Sequence, residues 1–255
     1  MAENAVVNAA LETRHLCRSF GALRVADQIN FRLESGARHA LIGPNGAGKT
    51  TLVNMLTGRL APTSGRILIG GEDITALGQL ARVKRGLGRT FQINTLFRNV
   101  SVVDNVAYAV AEREGVAWRM FRPASDYREV LDECMALLDS LGLAQDARLS
   151  VAGLPYGKQR LVEIAIALGL KPRVLLLDEP AAGVPTMESH RILDVLGALP
   201  EDIAILIIEH DMELVFRFAR RITVLTQGTV LAEGTPEEIA ADRRVREVYL
   251  GERNA

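Results

Sequence analysis

Short, mostly apolar runs recur along the chain, and segments with the apolar spacing of helices lie between them. The runs occupy residues 37–42, 173–177 and 203–208. A run of this length and character predicts a strand that is buried on both faces, as in a parallel sheet covered by helices. Helical segments are predicted at residues 51–56, 156–170 and 189–199. This order of strands and helices predicts an α/β core.

The first third of the chain has a different pattern. Apolar and polar residues alternate between Leu11 and Leu33, with a turn at residues 19–21, which predicts two antiparallel strands. A further strand is predicted at residues 66–69, between turns at residues 62–65 and 70–73. We therefore expect an N-terminal antiparallel β subdomain that leads into the α/β core.

Residues 93–153 carry no strand pattern. Two helices are predicted there, at residues 101–114 and 125–141, each preceded by residues that cap helices well. We interpret this segment as an inserted α-helical subdomain. The 255 residues would then form a single domain, in which residues 1–92 and 154–255 make the α/β core with its β subdomain.

The charge balance narrows the class of protein. Thirty basic and thirty-one acidic residues leave a formal net charge of −1, so nothing favours general binding to nucleic acid. A short basic run comprises Arg82, Lys84, Arg85 and Arg89. We expect these four side chains to be solvated, on a helix and a strand edge.

Cysteine spacing and hydropathy bear on the cellular compartment. Cys17 and Cys134 have neither a disulfide framework nor the spacing of metal ligands, which agrees with a reducing compartment. The first ten residues lack the basic start and long apolar segment of a secretion signal, and no eighteen consecutive residues are apolar. We therefore expect a chain with neither a signal peptide nor a membrane-spanning helix.

The most specific motif lies at residues 43–50, which match the phosphate-loop pattern G-x-x-x-x-G-K-[ST] between a predicted strand and a predicted helix. Glycines allow successive N–H groups to face one centre, and the helix start adds positive potential for phosphates. Lys49 would bridge the terminal phosphates, and the Thr50 hydroxyl is the hard oxygen ligand that Mg²⁺ prefers. The alternative is a glycine-rich turn that only joins the strand to the helix.

An ATP-binding site is therefore predicted at this loop. Its residues are Gly43, Pro44, Asn45, Gly46, Ala47, Gly48, Lys49, Thr50 and Thr51. Phe20 lies at the turn between the first two strands, and an aromatic ring displayed beside the loop could stack on a nucleobase. Packing in the core is the alternative for this ring.

Two carboxylates, Asp178 and Glu179, end the predicted strand at residues 173–177. At the end of a buried strand they need a partner such as a metal ion, so Asp178 is a candidate Mg²⁺ ligand. Glu179 is placed to orient or deprotonate the water that attacks the terminal phosphate. A helix cap or a surface salt bridge is the alternative interpretation of the pair.

Two further polar residues follow predicted strands, and a polar turn opens a predicted helix. Gln92 ends a strand at residues 88–92, and His210 follows the strand at residues 203–208. Open α/β sheets bind their ligands at such strand ends. The turn at residues 154–160 begins a helix that is apolar nearly all round, and its start is a potential anion site.

Five features follow one another along the chain: the phosphate loop, the strand-end Gln, the glycine-containing helix start, the Asp-Glu strand end and the strand-end His. In this order they resemble the ATP-binding cassette (ABC) ATPases, and the resemblance covers nearly the whole chain. The resemblance implies the P-loop NTPase fold with a mixed sheet, and ATP and Mg²⁺ as cofactors. It assigns Phe20 to adenine stacking, Gln92 to sensing Mg²⁺ and the attacking water, and His210 to the γ-phosphate.

The same resemblance makes residues 154–160 the family's signature segment. Its candidate nucleotide contacts are Pro155, Tyr156, Gly157, Lys158 and Gln159. Family members pair head to tail, so that each ATP lies between the phosphate loop of one chain and the signature of a second ATPase subunit. The resemblance implies such a pair for this chain, as a homodimer or a heterodimer.

Two departures from the family pattern affect these expectations. Pro155 stands where the signature usually has Ser, and it offers the γ-phosphate neither a hydroxyl nor an N–H group. Pro185 stiffens the segment after the Asp-Glu pair, in which the family commonly has an Asp that makes contact across the dimer. We expect the two chains of the pair still to enclose ATP between them, with the transition state stabilised by about 1 kcal/mol less.

Four segments are similar to those of ATPase subunits of branched-chain amino-acid importers. They are residues 89–92, the Leu-x-Tyr-Gly-x-Gln-Arg signature, residues 179–183 and the C-terminal residues 249–252. Such subunits lie on the cytoplasmic face of the membrane and bind membrane-spanning permease subunits. A periplasmic or extracellular substrate-binding protein is an indirect partner. We expect the helical subdomain and the segment around Gln92 to form the groove for the permease.

Four alternatives remain open from the sequence. A related importer for urea, amides or aromatic acids could use nearly the same ATPase, and an exporter is possible because the membrane subunits set the direction of transport. A soluble ABC ATPase acting on DNA or ribosomes usually has two cassettes or a long coiled-coil insertion, and this chain has neither pattern. A phosphoryl-transfer kinase would require an acceptor other than water.

Overall fold

A computed structural model of the chain describes residues 9–90, 96–116 and 124–251. The strands are β1 (Ala9–Phe20), β2 (Leu23–Glu34), β3 (Arg38–Ile42), β4 (Ser64–Ile69), β5 (Glu72–Asp73), β6 (Leu87–Arg89), β7 (Val174–Asp178), β8 (Ala204–Ile208), β9 (Arg221–Thr226) and β10 (Thr229–Gly234). The α-helices are α1 (Lys49–Leu56), α2 (Gln79–Val83), α3 (Val102–Arg113), α4 (Ala124–Ser140), α5 (Tyr156–Gly169), α6 (Thr186–Gly197), α7 (Met212–Phe218), α8 (Pro236–Ala241) and α9 (Arg243–Gly251). Short 3₁₀ turns lie at Ala144–Asp146 and Val151–Gly153.

The N-terminal strands form an antiparallel sheet in the order β2-β1-β4-β5. The inward-facing residues Leu11, Ile29 and Phe31 are almost completely buried, as the alternating pattern predicts. The antiparallel β subdomain expected from the sequence is therefore confirmed.

The larger sheet has the strand order β10-β9-β3-β8-β7-β6 and is mixed, since β10 pairs antiparallel with β9 and the other pairs are parallel. Strand β3 lies between β8 and β9, and Asp178 at the end of β7 is in register with Ile208 at the end of β8. The carboxyl ends of β3, β7 and β8 therefore lie at one edge of the sheet. This edge carries the loops that the motifs predict to be functional.

Helices α3, α4 and α5 pack together beside the larger sheet. The Arg113 guanidinium of α3 forms two 2.7 Å hydrogen bonds to the Glu133 carboxylate of α4 and one of 2.6 Å to the Gly169 carbonyl at the end of α5. One side chain thus ties the three helices together. The division of the chain at residues 92 and 154 into a core and a helical subdomain stays a prediction.

The predicted solvation of the basic run is wrong for two of its four members. Lys84 and Arg85 are exposed, but Arg82 is only 1% exposed and the Arg89 side chain only 10% exposed. Arg82 extends from α2 to the C-terminal end of α1, where its guanidinium donates to the Met55 and Leu56 carbonyls. The pattern of charge along the sequence could not show this, because the acceptors come from other segments.

His39 in β3 is buried, with Nε2 2.8 Å from Oγ1 of Thr223 and its ring in edge contact with Phe31. Burial lowers the pKa of His39 to about 3. In the unfolded chain the His39 ring takes up a proton at its usual pKa of about 6.5. Protonation therefore favours unfolding as the pH falls from 6.5 toward 3.

We expect the free energy of unfolding to fall by about 2 kcal/mol between pH 7 and pH 5 on account of His39. Urea unfolding at both values, for the wild type and for His39→Gln, measures this contribution. The variant has no proton to take up there and should lose that part of the pH dependence. An equal slope in both proteins would contradict the assignment to His39.

Candidate nucleotide-binding site

The phosphate loop connects β3 to α1, and glycines hold its path. Gly43, Gly46 and Gly48 have φ angles of 155°, 78° and 102°, which other residues rarely adopt. A Cβ on Gly43 would lie 2.3 Å from the Leu225 carbonyl oxygen, and one on Gly48 would lie 2.8 Å from that of Val25. The loop therefore needs glycine at these two positions for space as well as for conformation.

Hydrogen bonds from the β9–β10 turn and from Lys49 support this loop. The Gly228 N–H, in the turn between β9 and β10, donates a 3.0 Å hydrogen bond to the Ala47 carbonyl. The Lys49 ammonium donates to the loop carbonyls of Gly43 at 2.5 Å and Pro44 at 3.1 Å. Thr50 is exposed in the first turn of α1. The loop thus brings together a helix start, an ammonium group and an exposed hydroxyl.

The ends of β7 and β8 bring Glu179 and His210 together at one edge of the sheet. His210 Nδ1 lies 3.5 Å from Glu179 Oε1. Glu179 has a φ of 49°, and its N–H donates a 2.9 Å hydrogen bond to the Ile208 carbonyl at the end of β8. This unusual backbone conformation, held by β8, turns the chain sharply after β7.

Asp178 has a partner that sequence reasoning missed. The Arg89 guanidinium, at the end of β6, lies 3.1 Å from Asp178 Oδ2, and both side chains are about nine-tenths buried. Arg89 also donates 3.3 Å hydrogen bonds to the side chains of Asn54 and Thr57, which belong to α1 and its C-terminal cap. Burial lowers the pKa of Arg89, and the charge of Asp178 opposes that shift.

Arg89 therefore connects three predicted functional segments: the end of β6, the Asp-Glu strand end and the helix of the phosphate loop. The two charged residues are 89 positions apart in the chain. Only the pairing of β6 with β7 brings them together, so no spacing rule could have found them.

Glu209 is a second residue that the sequence interpretation left without a role. It is 2% exposed, and its Oε2 accepts a 3.2 Å hydrogen bond from the His210 N–H. Burial raises the pKa of this carboxyl group. A charge that directly follows the apolar run at residues 203–208 was the available signal.

Phe20 is 49% exposed, and the Arg18 guanidinium lies 4.4 Å from the centre of its ring. Core packing, the alternative interpretation, therefore does not describe it. Its stacking on adenine stays a prediction. Gln92 lies outside the residues that the structure describes.

The signature segment leads into α5, with Pro155 as its N-cap residue. Lys158 Nζ forms a 2.7 Å ion pair with Asp146, and Gln159 donates a 2.8 Å hydrogen bond to the Leu154 carbonyl. These two polar side chains are thus engaged within the chain. Tyr156 and the N–H group of Gly157 lie at the start of the helix.

The sequence profile of the ABC transporter family matches residues 26–182, and that of the branched-chain amino acid ATP-binding cassette transporter C-terminus matches residues 229–255. The chain is 38% identical over 249 residues to the high-affinity branched-chain amino acid transport ATP-binding protein LivG of Escherichia coli. It is 37% identical over 249 residues to BraF of Pseudomonas aeruginosa, which has the same description. Each alignment covers 95% of this chain and 98% of the relative.

A solved structure supports the same assignment. The ADP conformation of MJ1267, an ATP-binding cassette of an ABC transporter, superposes with a TM-score of 0.83 at 29% identity, covering 95% of this chain and 99% of that one. The chain therefore belongs to the ABC transporter ATP-binding proteins, and its fold and ATPase class are those predicted from the motifs. Within them it belongs to the group of branched-chain amino acid transport ATP-binding proteins. Among the helices that the structure describes, none is long and apolar enough to cross a membrane.

Proposed function

We propose that this chain works in a pair of ATPase subunits on the cytoplasmic face of the membrane and drives the import of branched-chain or other hydrophobic amino acids. The observation that carries the mechanism is the 3.5 Å approach of His210 to Glu179 at the sheet edge that bears the phosphate loop. Phosphate release from Mg²⁺-ATP by the purified chain, beside Glu179→Gln, tests the mechanism. Stimulation of hydrolysis by leucine in the assembled transporter, with its permease and binding protein, tests the substrate class.

The oxygen donors at the site fit Mg²⁺. The Thr50 hydroxyl and the free oxygen of Asp178 are hard ligands, and Gln92 would add a third from the following segment. Bound Mg²⁺ would neutralise charge on the phosphates. Arg89 holds Oδ2 of Asp178, which leaves Oδ1 for this purpose. Lys49 and the N–H groups of the loop would bind the terminal phosphates and align them.

Glu179 would orient the attacking water and accept its proton, since its carboxylate is partly exposed beside His210. His210 would contact the γ-phosphate and keep Glu179 in place. Phe20 would stack on the adenine, because it is displayed on the surface next to a cationic group. These roles would put Glu179 and His210 at one reacting phosphate.

A second ATPase subunit would complete the site, through Pro155, Tyr156, Gly157, Lys158 and Gln159 of its signature. In this chain Lys158 and Gln159 already have internal partners. The N–H group of Gly157 and the helix start are the groups left to face the γ-phosphate of the partner's nucleotide. We expect hydrolysis to depend on this pairing.

The Pro155→Ser variant should hydrolyse ATP up to about fivefold faster, because a hydroxyl at this N-cap adds about one hydrogen bond to the transition state. A serine also caps α5 better than proline does. Steady-state kcat, with Pro155→Ala as the control for removing the ring alone, measures the effect. Equal rates for Pro155→Ser and Pro155→Ala would contradict this role of the hydroxyl.

A surface that fits the permease lies in the helical region. Phe97 and Tyr108 are both more than half exposed and stack edge to face, with ring centres 5.4 Å apart. Asn105, which is buried, holds Phe97 by a pair of hydrogen bonds: it accepts one of 2.9 Å from the Phe97 N–H and donates one of 3.1 Å to the Phe97 carbonyl. Two exposed aromatic rings on a rigid support are typical of binding surfaces.

We expect Phe97→Ala to weaken the association of this chain with its permease subunits about tenfold, the scale of one buried aromatic anchor. Co-purification from membranes, followed by titration of the purified subunit onto permease in detergent, measures the loss. Phe216→Ala is the matched control, since Phe216 is 40% exposed on α7, outside the helical region. Equal affinities for the two variants would argue against this docking surface.

A further inference from the structure

The signature segment lies beside the loop that follows β7 in the same chain. A Cβ placed on Gly183 would lie 3.4 Å from Cε1 of Tyr156 and 3.9 Å from its hydroxyl oxygen. The ring therefore lies beside Gly183, at a distance where a Cβ would be in ordinary van der Waals contact with it. Gly183 has a φ of 73°, so a side chain at this position would strain the backbone.

Hydrogen bonds between residues close in sequence connect Glu179 to Gly183 and α6. The Ala182 N–H donates to the Glu179 carbonyl at 3.0 Å, and the Val184 N–H donates to the Ala181 carbonyl at 3.2 Å. The Ser189 hydroxyl, in α6, is held against the Val184 carbonyl at 3.3 Å. The segment from Glu179 to α6 is thus a series of tight turns, in which a shift at one end moves the other.

The ring of Tyr156 has a second neighbour, in α5 itself. The Arg160 guanidinium, one turn along α5, lies 5.0 Å from the centre of the tyrosine ring and pairs at 2.8 Å with Glu163 in the interior. A second contact joins the two helices, since a Cβ on Gly157 would lie 2.2 Å from Oε2 of Glu188 in α6. The start of α5 and the loop after β7 therefore form one packed unit.

We propose that Tyr156 is a positioning residue that couples the two ATP sites of the dimer through each chain, by joining the loop of Glu179 to the signature that faces the partner's nucleotide. The inference rests on the head-to-tail pairing proposed above. In that pairing Glu179 serves the ATP of its own chain, while the signature serves the ATP of the other. Because the ring belongs to the signature and lies beside Gly183 in the loop of Glu179, binding at one site would shift the geometry of the other.

The segment beside Tyr156 also contains Pro185, where the family commonly has an Asp that makes a polar contact across the dimer. Pro185 is the N-cap residue of α6 and fixes the end of the loop on the side away from Glu179. The loop is thus fixed at Pro185, and its middle lies beside Tyr156. Communication within the chain takes the place of the missing contact between chains.

The test compares cooperativity in the full-length purified chain. ATP hydrolysis is measured against ATP concentration for the wild type, Tyr156→Leu, Tyr156→Phe and Gly183→Ala, with the thermal midpoint of each. We expect a Hill coefficient clearly above 1 for the wild type and Tyr156→Phe, which keeps the ring. Tyr156→Leu and Gly183→Ala should fall to about 1, the value for independent sites.

Dimer formation is followed separately by combining each change with Glu179→Gln and running size-exclusion chromatography in ATP. A dimer in Tyr156→Leu/Glu179→Gln, together with a lost Hill coefficient in Tyr156→Leu, supports the coupling role. An unchanged Hill coefficient in Tyr156→Leu overturns it, even if the thermal midpoint falls, since that is the result of a purely structural side chain. A wild type that dimerises with a Hill coefficient of about 1 overturns it too. If Glu179→Gln forms no dimer at all, the proposed pairing fails and the coupling fails with it.

Discussion

The Glu179→Gln variant should release phosphate from ATP about a thousandfold more slowly than the wild type while it still binds the nucleotide. A general base contributes roughly 10² to 10⁴ in rate, and glutamine has a similar shape but cannot accept the proton of the attacking water. The phosphate loop has its own support, because Lys49 donates to the Gly43 and Pro44 carbonyls and the Gly228 N–H donates to the Ala47 carbonyl. The variant should therefore accumulate as a dimer that holds ATP.

Phosphate release in Mg²⁺-ATP and size-exclusion chromatography in ATP measure the two parts of this result. Glu201→Gln is the matched control, because Glu201 is 84% exposed and precedes β8 at the opposite edge of the sheet. Turnover within about tenfold of the wild type in Glu179→Gln would show that another group takes the proton. Hydrolysis lost together with ATP binding would instead indicate a damaged site.

The Arg82→Met variant should lose about 3 kcal/mol of the free energy of unfolding. The Arg82 guanidinium donates to four main-chain carbonyls, those of Met55 at 2.5 Å, Leu56 at 2.7 Å, Leu77 at 2.8 Å and Thr75 at 2.9 Å. Two of these carbonyls belong to the last turn of α1, where a cation also opposes the negative end of the helix. Methionine fills most of the space but leaves the carbonyls without donors, and each buried unpaired group costs about 1–3 kcal/mol.

Equilibrium unfolding in urea, without nucleotide, gives the measurement, since bound ATP would add its own stabilisation. Lys84→Met is the control, because Lys84 directly follows α2 and is exposed. This control should stay within about 0.5 kcal/mol of the wild type. A loss in Arg82→Met no larger than in the control would mean that water replaces the guanidinium at little cost.

The Arg82 site also bears on nucleotide binding. The same helix, α1, begins at the phosphate loop and ends at two of the carbonyls that Arg82 binds, and Arg89 contacts it beside the Asp178 carboxylate. Two buried arginines thus hold the helix whose start would face the phosphates. We infer that the stability of this region and the shape of the loop are linked.

Much of the fold and of the candidate site follows from the sequence alone. The phosphate loop, the strand that ends in Asp178 and Glu179, and the capping box at Thr235 are local features, in which each residue acts on neighbours a few positions away. Helix α5 starts at Tyr156, as predicted, and strands β3, β7 and β8 occupy the three apolar runs. Local pattern suffices here because spacing of apolar residues and the chemistry of caps decide the element.

The tertiary structure alone decided which charged residues are buried and which side chains meet. Arg82 and Arg89 carry the same local signal as the exposed Lys84, and they differ only in the carbonyls and carboxylate that distant segments bring to them. The contact of Tyr156 with Gly183 likewise depends on how α5 packs beside the loop after β7. A buried charge or a packed ring is stable only where its partners converge, and that convergence depends on strand order, which residue spacing does not encode.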